Sequence, residues 1–99
     1  MSLEEPKLLA KIYRVRGRVQ GVGFRWFVDR EAQTIGIAGW VRNRSDGTVE
    51  VLAQGTREQL FSLRSKLQQG PRASRVDDVE EVESEIQHDM KSFRIEGVW

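Results

Sequence analysis

Apolar positions along this 99-residue chain change period several times, and each change marks an element. From Leu8 to Val19 they alternate, with Leu9, Tyr13 and Val15 on one face and Arg14 and Arg16 on the other, which predicts a strand. Phe24, Phe27, Val28, Ala32 and Ile35 then recur at helical spacing, and Gly36 supplies a stop. Ile37–Asn43 and Thr48–Ala53 read as strands, and Ser45, Asp46 and Gly47 between them are suited to a hairpin turn. Thr56 and Gln59 make a capping-box pattern, Leu60, Leu63 and Leu67 form the stripe of a second helix, and Gly70-Pro71 ends it. Phe93 and Ile95 alternate with Arg94 and Glu96 in a last short strand. Val76, Val79, Val82 and Ile86 are spaced as in a helix, yet Val and Ile favour strands, so the pattern over Val76–Ile86 decides neither.

The order β-α-β-β-α-β predicts an α+β fold, the ferredoxin-like two-layer sandwich of an antiparallel sheet with two helices on one face. A single domain over residues 8–99 accounts for the length, after a polar leader over residues 1–7 that contains Pro6. In this topology the loop after the first strand and the end of the second come to one edge of the sheet. Residues near Arg25 are therefore expected to meet Asn43.

Composition narrows the chemistry. A hydrophobic share of 38% and a charged share of 31% describe an ordinary globular chain rather than a disordered one. The absence of cysteine excludes disulfides, thiolate catalysis and finger-type zinc sites. The lone His88 leaves no histidine cluster for a metal and reads as a surface residue. No apolar run approaches a membrane span and nothing at the start resembles a signal peptide, so a cytoplasmic protein is expected. A net charge of +1 does not suggest a nucleic-acid binder. The charges are unevenly spread, however. Arg14, Arg16, Arg18, Arg25, Arg42 and Arg44 are expected to gather near one glycine-rich stretch and focus an anion there, while the acids between Asp77 and Asp89 read as a solvated face.

That stretch, V-R-G-R-V-Q-G-V-G-F-R from Val15 to Arg25, carries the candidate chemistry. Its glycines allow backbone amides to turn toward a common point. A helix starting at Phe24 adds unpaired N–H groups and its positive dipole end, for which a phosphate is the best occupant. Arg25 stands at the helix entrance, where a guanidinium is able to hold two phosphate oxygens. Taken alone, the stretch reads equally as a structural strand-to-helix turn with a solvated arginine. It follows neither G-x-G-x-x-G nor a P-loop pattern.

Val15–Arg25 resembles the first signature of the acylphosphatases, an apolar residue followed by x-G-x-V-Q-G-V-x-F-R. Gly39–Gly55, G-W-V-R-N-R-S-D-G-T-V-E-V-L-A-Q-G, is similar to the second, G-aromatic-V-basic-N-x-x-x-G-x-V followed by a spaced glycine. The resemblance runs from about Leu8 to Ile95. It implies hydrolysis of acyl phosphates to a carboxylate and inorganic phosphate, with no metal or other cofactor. It implies Arg25 as the phosphate-binding arginine and Asn43 as the residue that orients water. The backbone amides of Gln20, Gly21, Val22, Gly23 and Phe24 would be the phosphate cradle. It also implies a five-stranded sheet in which Val76–Ile86 is mostly strand. Arg44, where many members have threonine, receives no role, and Gly97-Val98-Trp99 lies outside both signatures. The implied partner is a small acyl phosphate; one compact site on one domain needs only a monomer, and neither the charge nor the hydropathy of the chain calls for nucleic acid or membrane.

Such chemistry needs few reactive groups. The leaving group of an acyl phosphate is a carboxylate of pKa about 4, which departs without a general acid. Positioning and charge stabilisation then suffice for a loose transition state. A neutral amide such as Asn43 has no useful proton affinity but is able to align water. A phosphate monoester, leaving as alkoxide, would need an acid or metal. Trp26 and Trp40 read as packing or rim contacts, Arg16, Arg18 and Arg42 as solvated or steering, and Asp46 as serving the turn. Two rivals remain. An RRM-like RNA-binding module would need aromatics on the open sheet face, which T-V-E-V-L-A lacks. A non-catalytic or carbamoyl-phosphate-handling acylphosphatase-like domain normally belongs to a much longer polypeptide.

Overall fold

A computed structural model describes residues 7–97. The leader expected over residues 1–7 lies outside them except for Lys7, as do Val98 and Trp99. The elements are β1 (Leu9–Arg18), α1 (Phe24–Ile35), β2 (Ala38–Asn43), β3 (Val49–Gly55), α2 (Arg57–Gln69), β4 (Arg75–Ser84) and β5 (Phe93–Ile95). They form one sheet in the order β4-β1-β3-β2-β5. Every neighbouring pair is antiparallel except β2 with β5. This is the expected ferredoxin-like α+β arrangement, in its five-stranded form.

Strand alternation sends Tyr13, Val15, Val41, Val49, Val51 and Ala53 to the inner face, where they are buried against the two helices. Phe24, Val28 and Ala32 supply the stripe of α1, and Leu60, Leu63 and Leu67 that of α2. Gly36 ends α1 in a left-handed conformation, φ 94°, and its N–H bonds Ala32 O at 2.9 Å. The capping box of α2 is complete: Gln59 N donates to Thr56 Oγ1 (3.2 Å) and Thr56 N to Gln59 Oε1 (2.8 Å). Gln59 Nε2 also donates to Ile35 O at 3.2 Å, so one side chain caps α2 and satisfies the end of α1.

The ambiguous segment is a strand, and the register explains its helix-like spacing. Arg16 pairs with Asp78 but Gly17 pairs with Val76, which leaves Asp77 as the extra residue of a β-bulge. Val76 and Val79, three apart, therefore both reach the core. Val82, three further on and opposite Ile12, falls on the outer face and is 46% exposed. The same bulge takes Gly17 out of the set of glycines expected to turn their amides toward a common point. Gly17 remains in β1 with φ 134°, and a Cβ there would run into the Arg75 carbonyl oxygen of β4. Nor is the acidic stretch simply solvated, since Glu81 accepts from Lys11 Nζ and Arg64 Nη1, each at 2.6 Å.

Candidate functional site

β1 and β2 both run antiparallel to β3, so their C-terminal ends lie at the same end of the sheet. Val15, Val49 and Asn43 stand in one cross-strand row there. Beyond β1, buried Val19 and Phe24 anchor the two ends of the loop Gln20–Gly23. Gly21 (φ 73°) and Gly23 (φ 79°) are left-handed, and a Cβ at either would meet nothing within 4 Å. Backbone conformation rather than packing is what requires glycine at these two positions. Gly23 is the N-cap of α1, with no side-chain cap and no acid in the first turn. The first helical bond is donated by Phe27 N to Gly23 O at 3.1 Å, leaving the preceding amides without an intrahelical acceptor. Loop amides and the positive end of α1 thus coincide.

Arg25, in that first turn, is steadied from the far edge of the sheet. Its Nη1 donates to Glu96 O at 3.2 Å, and Glu96 N donates to Val41 O at 2.8 Å. Two hydrogen bonds therefore tie Arg25 to β2, two residues before Asn43. Asn43 follows the inward alternation of Gly39 and Val41, so it lies on the helix side of the sheet. Its Oδ1 is buried and, among the described residues, accepts no hydrogen bond. An unpaired buried amide oxygen is costly in a fold and calls for a donor.

On the other side of Asn43 lies a contact that sequence reasoning missed. Gln20 was expected to matter through its backbone amide. Its side-chain Nε2 donates to Arg44 O at 2.8 Å and Thr48 O at 2.9 Å, pinning the loop to the β2–β3 turn. That turn is built as expected around Asp46, whose Oδ1 accepts from Thr48 Oγ1 (2.6 Å) and Thr48 N (3.0 Å). These two bonds hold the Asp46 carboxyl below its ordinary range. Asn43 is thus bracketed, with Arg25 tied to the chain before it and Gln20 to the chain after it.

The basic cluster does not gather as expected. Alternation along β1, β2 and β3 turns Arg14, Arg42 and Glu50 to the sheet face away from the helices, and Arg44 joins them. Glu50 Oε1 lies 2.7 Å from Arg42 Nη2, and its Oε2 accepts from Arg44 Nη1 (3.0 Å) and Arg14 Nε (3.3 Å). Burial pushes the Glu50 carboxyl up, but hydrogen bonds from Arg42 and Arg14 and the charges of Arg42 and Arg44 outweigh it, leaving it lowered. Three of the six arginines thus spend their charge on Glu50 rather than focusing it at the loop. Arg16 and Arg18 are exposed. Trp40 packs under Arg42, whose guanidinium carbon is 4.4 Å from the ring centroid, whereas Trp26 is 73% exposed and takes no part in the core. His88 is exposed, as expected.

The fold is a two-layer α+β domain that brings a left-handed glycine loop opening a helix, a tethered guanidinium and a buried amide oxygen to one end of the sheet, an arrangement suited to an anion. Comparison with known proteins narrows it. The acylphosphatase family profile matches residues 11–95. The acylphosphatase of Koribacter versatilis is 61% identical over 87 residues, 88% of this chain and 79% of that one. The crystal structure of acylphosphatase from Bacillus subtilis matches with a TM-score of 0.86 at 43% identity, covering 90% of this chain and 99% of that one. Full-length HypF in its phosphate- and nucleotide-bound form matches with a TM-score of 0.87 at 29% identity, over 97% of this chain but 13% of that one. The chain belongs to the acylphosphatase family and is an enzyme that hydrolyses acyl phosphates.

Proposed function

We propose that the backbone amides of Gln20, Gly21, Val22, Gly23 and Phe24, together with Arg25, bind the phosphate group of the substrate, and that Asn43 orients the attacking water. The observation that carries this reading is the buried, unpaired Oδ1 of Asn43, set between the tethers of Arg25 and Gln20. A water donating to that oxygen has its lone pair free for phosphorus. As the water oxygen bonds to phosphorus, the bond from phosphorus to the acyl oxygen breaks and the carboxylate leaves with the electron pair. The water proton passes to a phosphate oxygen, so no protein base is required. Arg25 uses one N–H on Glu96 O and keeps its other donors for the equatorial oxygens as their charge redistributes. None of these steps draws on a metal.

The reading is completed by a monomer acting in the cytoplasm on a free, small acyl phosphate, apart from nucleic acid and membrane. One chain supplies every group the reaction uses. The outer-face positions of β1 and β3 (Ala10, Ile12, Arg14 and Arg16; Glu50, Leu52 and Gln54) carry no aromatic on which a base would stack, and Trp40 beside Leu52 on β2 is covered by the Arg42 guanidinium. Among the described residues, no helix is long and apolar enough to cross a membrane.

Release of benzoate from benzoyl phosphate in the presence of EDTA tests the reaction. Charged hydrogen bonds contribute roughly 1.5–3 kcal/mol each, so Arg25→Gln should weaken phosphate inhibition and turnover by about 100-fold or more. Asn43→Ala should collapse turnover while leaving inhibition by inorganic phosphate nearly intact. Equal loss of phosphate affinity in the two variants refutes the division of roles. RNA retained on a filter, with no benzoate released, favours a binding module instead.

A further inference from the structure

A single carboxamide joins the two halves of the proposed site. Gln20 Nε2 gives one hydrogen to Arg44 O and the other to Thr48 O, at 2.8 and 2.9 Å. Those carbonyls already close the neck of the turn. Thr48 O accepts from Arg44 N at 2.9 Å, and Arg44 O from Gly47 N at 3.2 Å. With Gln20 added, each oxygen has two donors and both its lone pairs are used. Asn43 immediately precedes Arg44, and Gln20 is the first residue of the phosphate loop, so this contact is a short route between cradle and water-directing amide. Both acceptors are backbone atoms, and no side-chain rearrangement in the hairpin restores the link once the carboxamide is gone. The loop is also anchored at its two ends by buried Val19 and Phe24.

We infer that the side chain of Gln20 is a positioning residue that holds Asn43 in register with the loop, so that directed water lies in line with bound phosphorus. The inference rests on the role proposed above for Asn43. It separates two functions of one residue, the amide of Gln20 facing the phosphate and its side chain setting the distance to Asn43.

Gln20→Met keeps the length of the side chain and removes both donors. In the full-length chain, kcat for benzoyl phosphate, inhibition by inorganic phosphate and the thermal midpoint are measured in the wild-type and Asn43→Ala backgrounds. A displacement of the order of 1 Å in a reacting group costs up to about 100-fold in rate. Gln20→Met should therefore lower kcat by roughly 10- to 100-fold and leave phosphate inhibition within about twofold. In the Asn43→Ala background its effect on kcat should shrink to about twofold or less, because no directed water remains to be misplaced. A merely structural role predicts the same fractional loss in both backgrounds, and that result overturns the inference, as does unchanged kcat or a parallel loss of phosphate affinity. Collapse in Asn43→Ala with an unaffected Gln20→Met defeats the inference alone. An Asn43→Ala variant with wild-type turnover defeats the Asn43 assignment and the inference with it. Should methionine prevent folding, Gln20→Ala assayed below its own thermal midpoint gives the same comparison.

Discussion

Replacing Glu50 with Gln removes the carboxylate on which Arg14, Arg42 and Arg44 converge. The Glu50 side chain is 4% exposed, whereas the arginine side chains are 40%, 44% and 37% exposed. Stranding a buried charge costs roughly 3–5 kcal/mol, but half-exposed arginines regain water when their partner goes. The close contacts from Arg42 (2.7 Å) and Arg44 (3.0 Å) are the ones that matter, since the Arg14 contact is long at 3.3 Å. Their loss, discounted for rehydration, amounts to about 2 kcal/mol, which lowers Tm by roughly 10 °C in a chain of this size. The pH dependence supplies a second readout. Despite burial, the arginines keep the Glu50 carboxyl lowered. A carboxyl lowered by folding contributes stability that is present above its unfolded pKa and lost as pH falls through its folded one. The gap between wild type and Glu50→Gln should thus be widest at neutral pH and close in acid. Thermal unfolding followed by circular dichroism across the carboxylate range measures it. A gap that does not change with pH, or no gap at neutral pH, refutes the reasoning.

Two further outcomes follow from the backbone and the core. Gly17→Ala should cost about 3 kcal/mol, since its Cβ has to displace the Arg75 carbonyl at the bulge, whereas Gly21→Ala meets open space and should cost about 1 kcal/mol for its left-handed φ; denaturant unfolding of the pair distinguishes them, and equal costs count against the bulge. Tyr13, the only tyrosine, is pushed up to about 12 by burial and the Glu81 charge, with Arg64 opposing. Its contribution to stability should be intact below the ordinary value of 10.0 and fade as pH rises toward 12, and a tyrosinate absorbance midpoint near 10.0 in the folded protein contradicts this.

Much of this fold was legible because it rests on short-range effects. Alternation in β1, the stripe of α1, the Gly36 stop, the Asp46 turn and the Thr56–Gln59 box each depend on residues a few positions apart, whose sterics and hydrogen bonds act before any distant partner arrives. The two signatures also pointed to Arg25, Asn43 and the loop, whose joint role is the proposal made above; the hydrogen bonds of Arg25 to Glu96 O and of Gln20 to the turn after Asn43 are what supports it. The Val76–Ile86 segment was illegible because its period is set by a bulge opposite Arg16 and Gly17, some sixty residues away in sequence. The arginines were misassigned for a related reason. Nearness in sequence says nothing about which sheet face a side chain takes, and alternation sends Arg14 and Arg42 to Glu50 rather than to the loop.

By itself, then, the sequence determined every element but β4, their punctuation and the family, and it named the candidate groups for a phosphate. Tertiary structure alone decided that Gln20 reaches across to two carbonyls of the hairpin, that Gly17 lies against β4, and that Asn43 keeps a buried oxygen without a partner among the described residues. The physical reason is one of range. Propensity and periodicity are written within a turn or two of chain, while register, strand order and the satisfaction of buried polar atoms depend on segments that meet only once the sheet has closed.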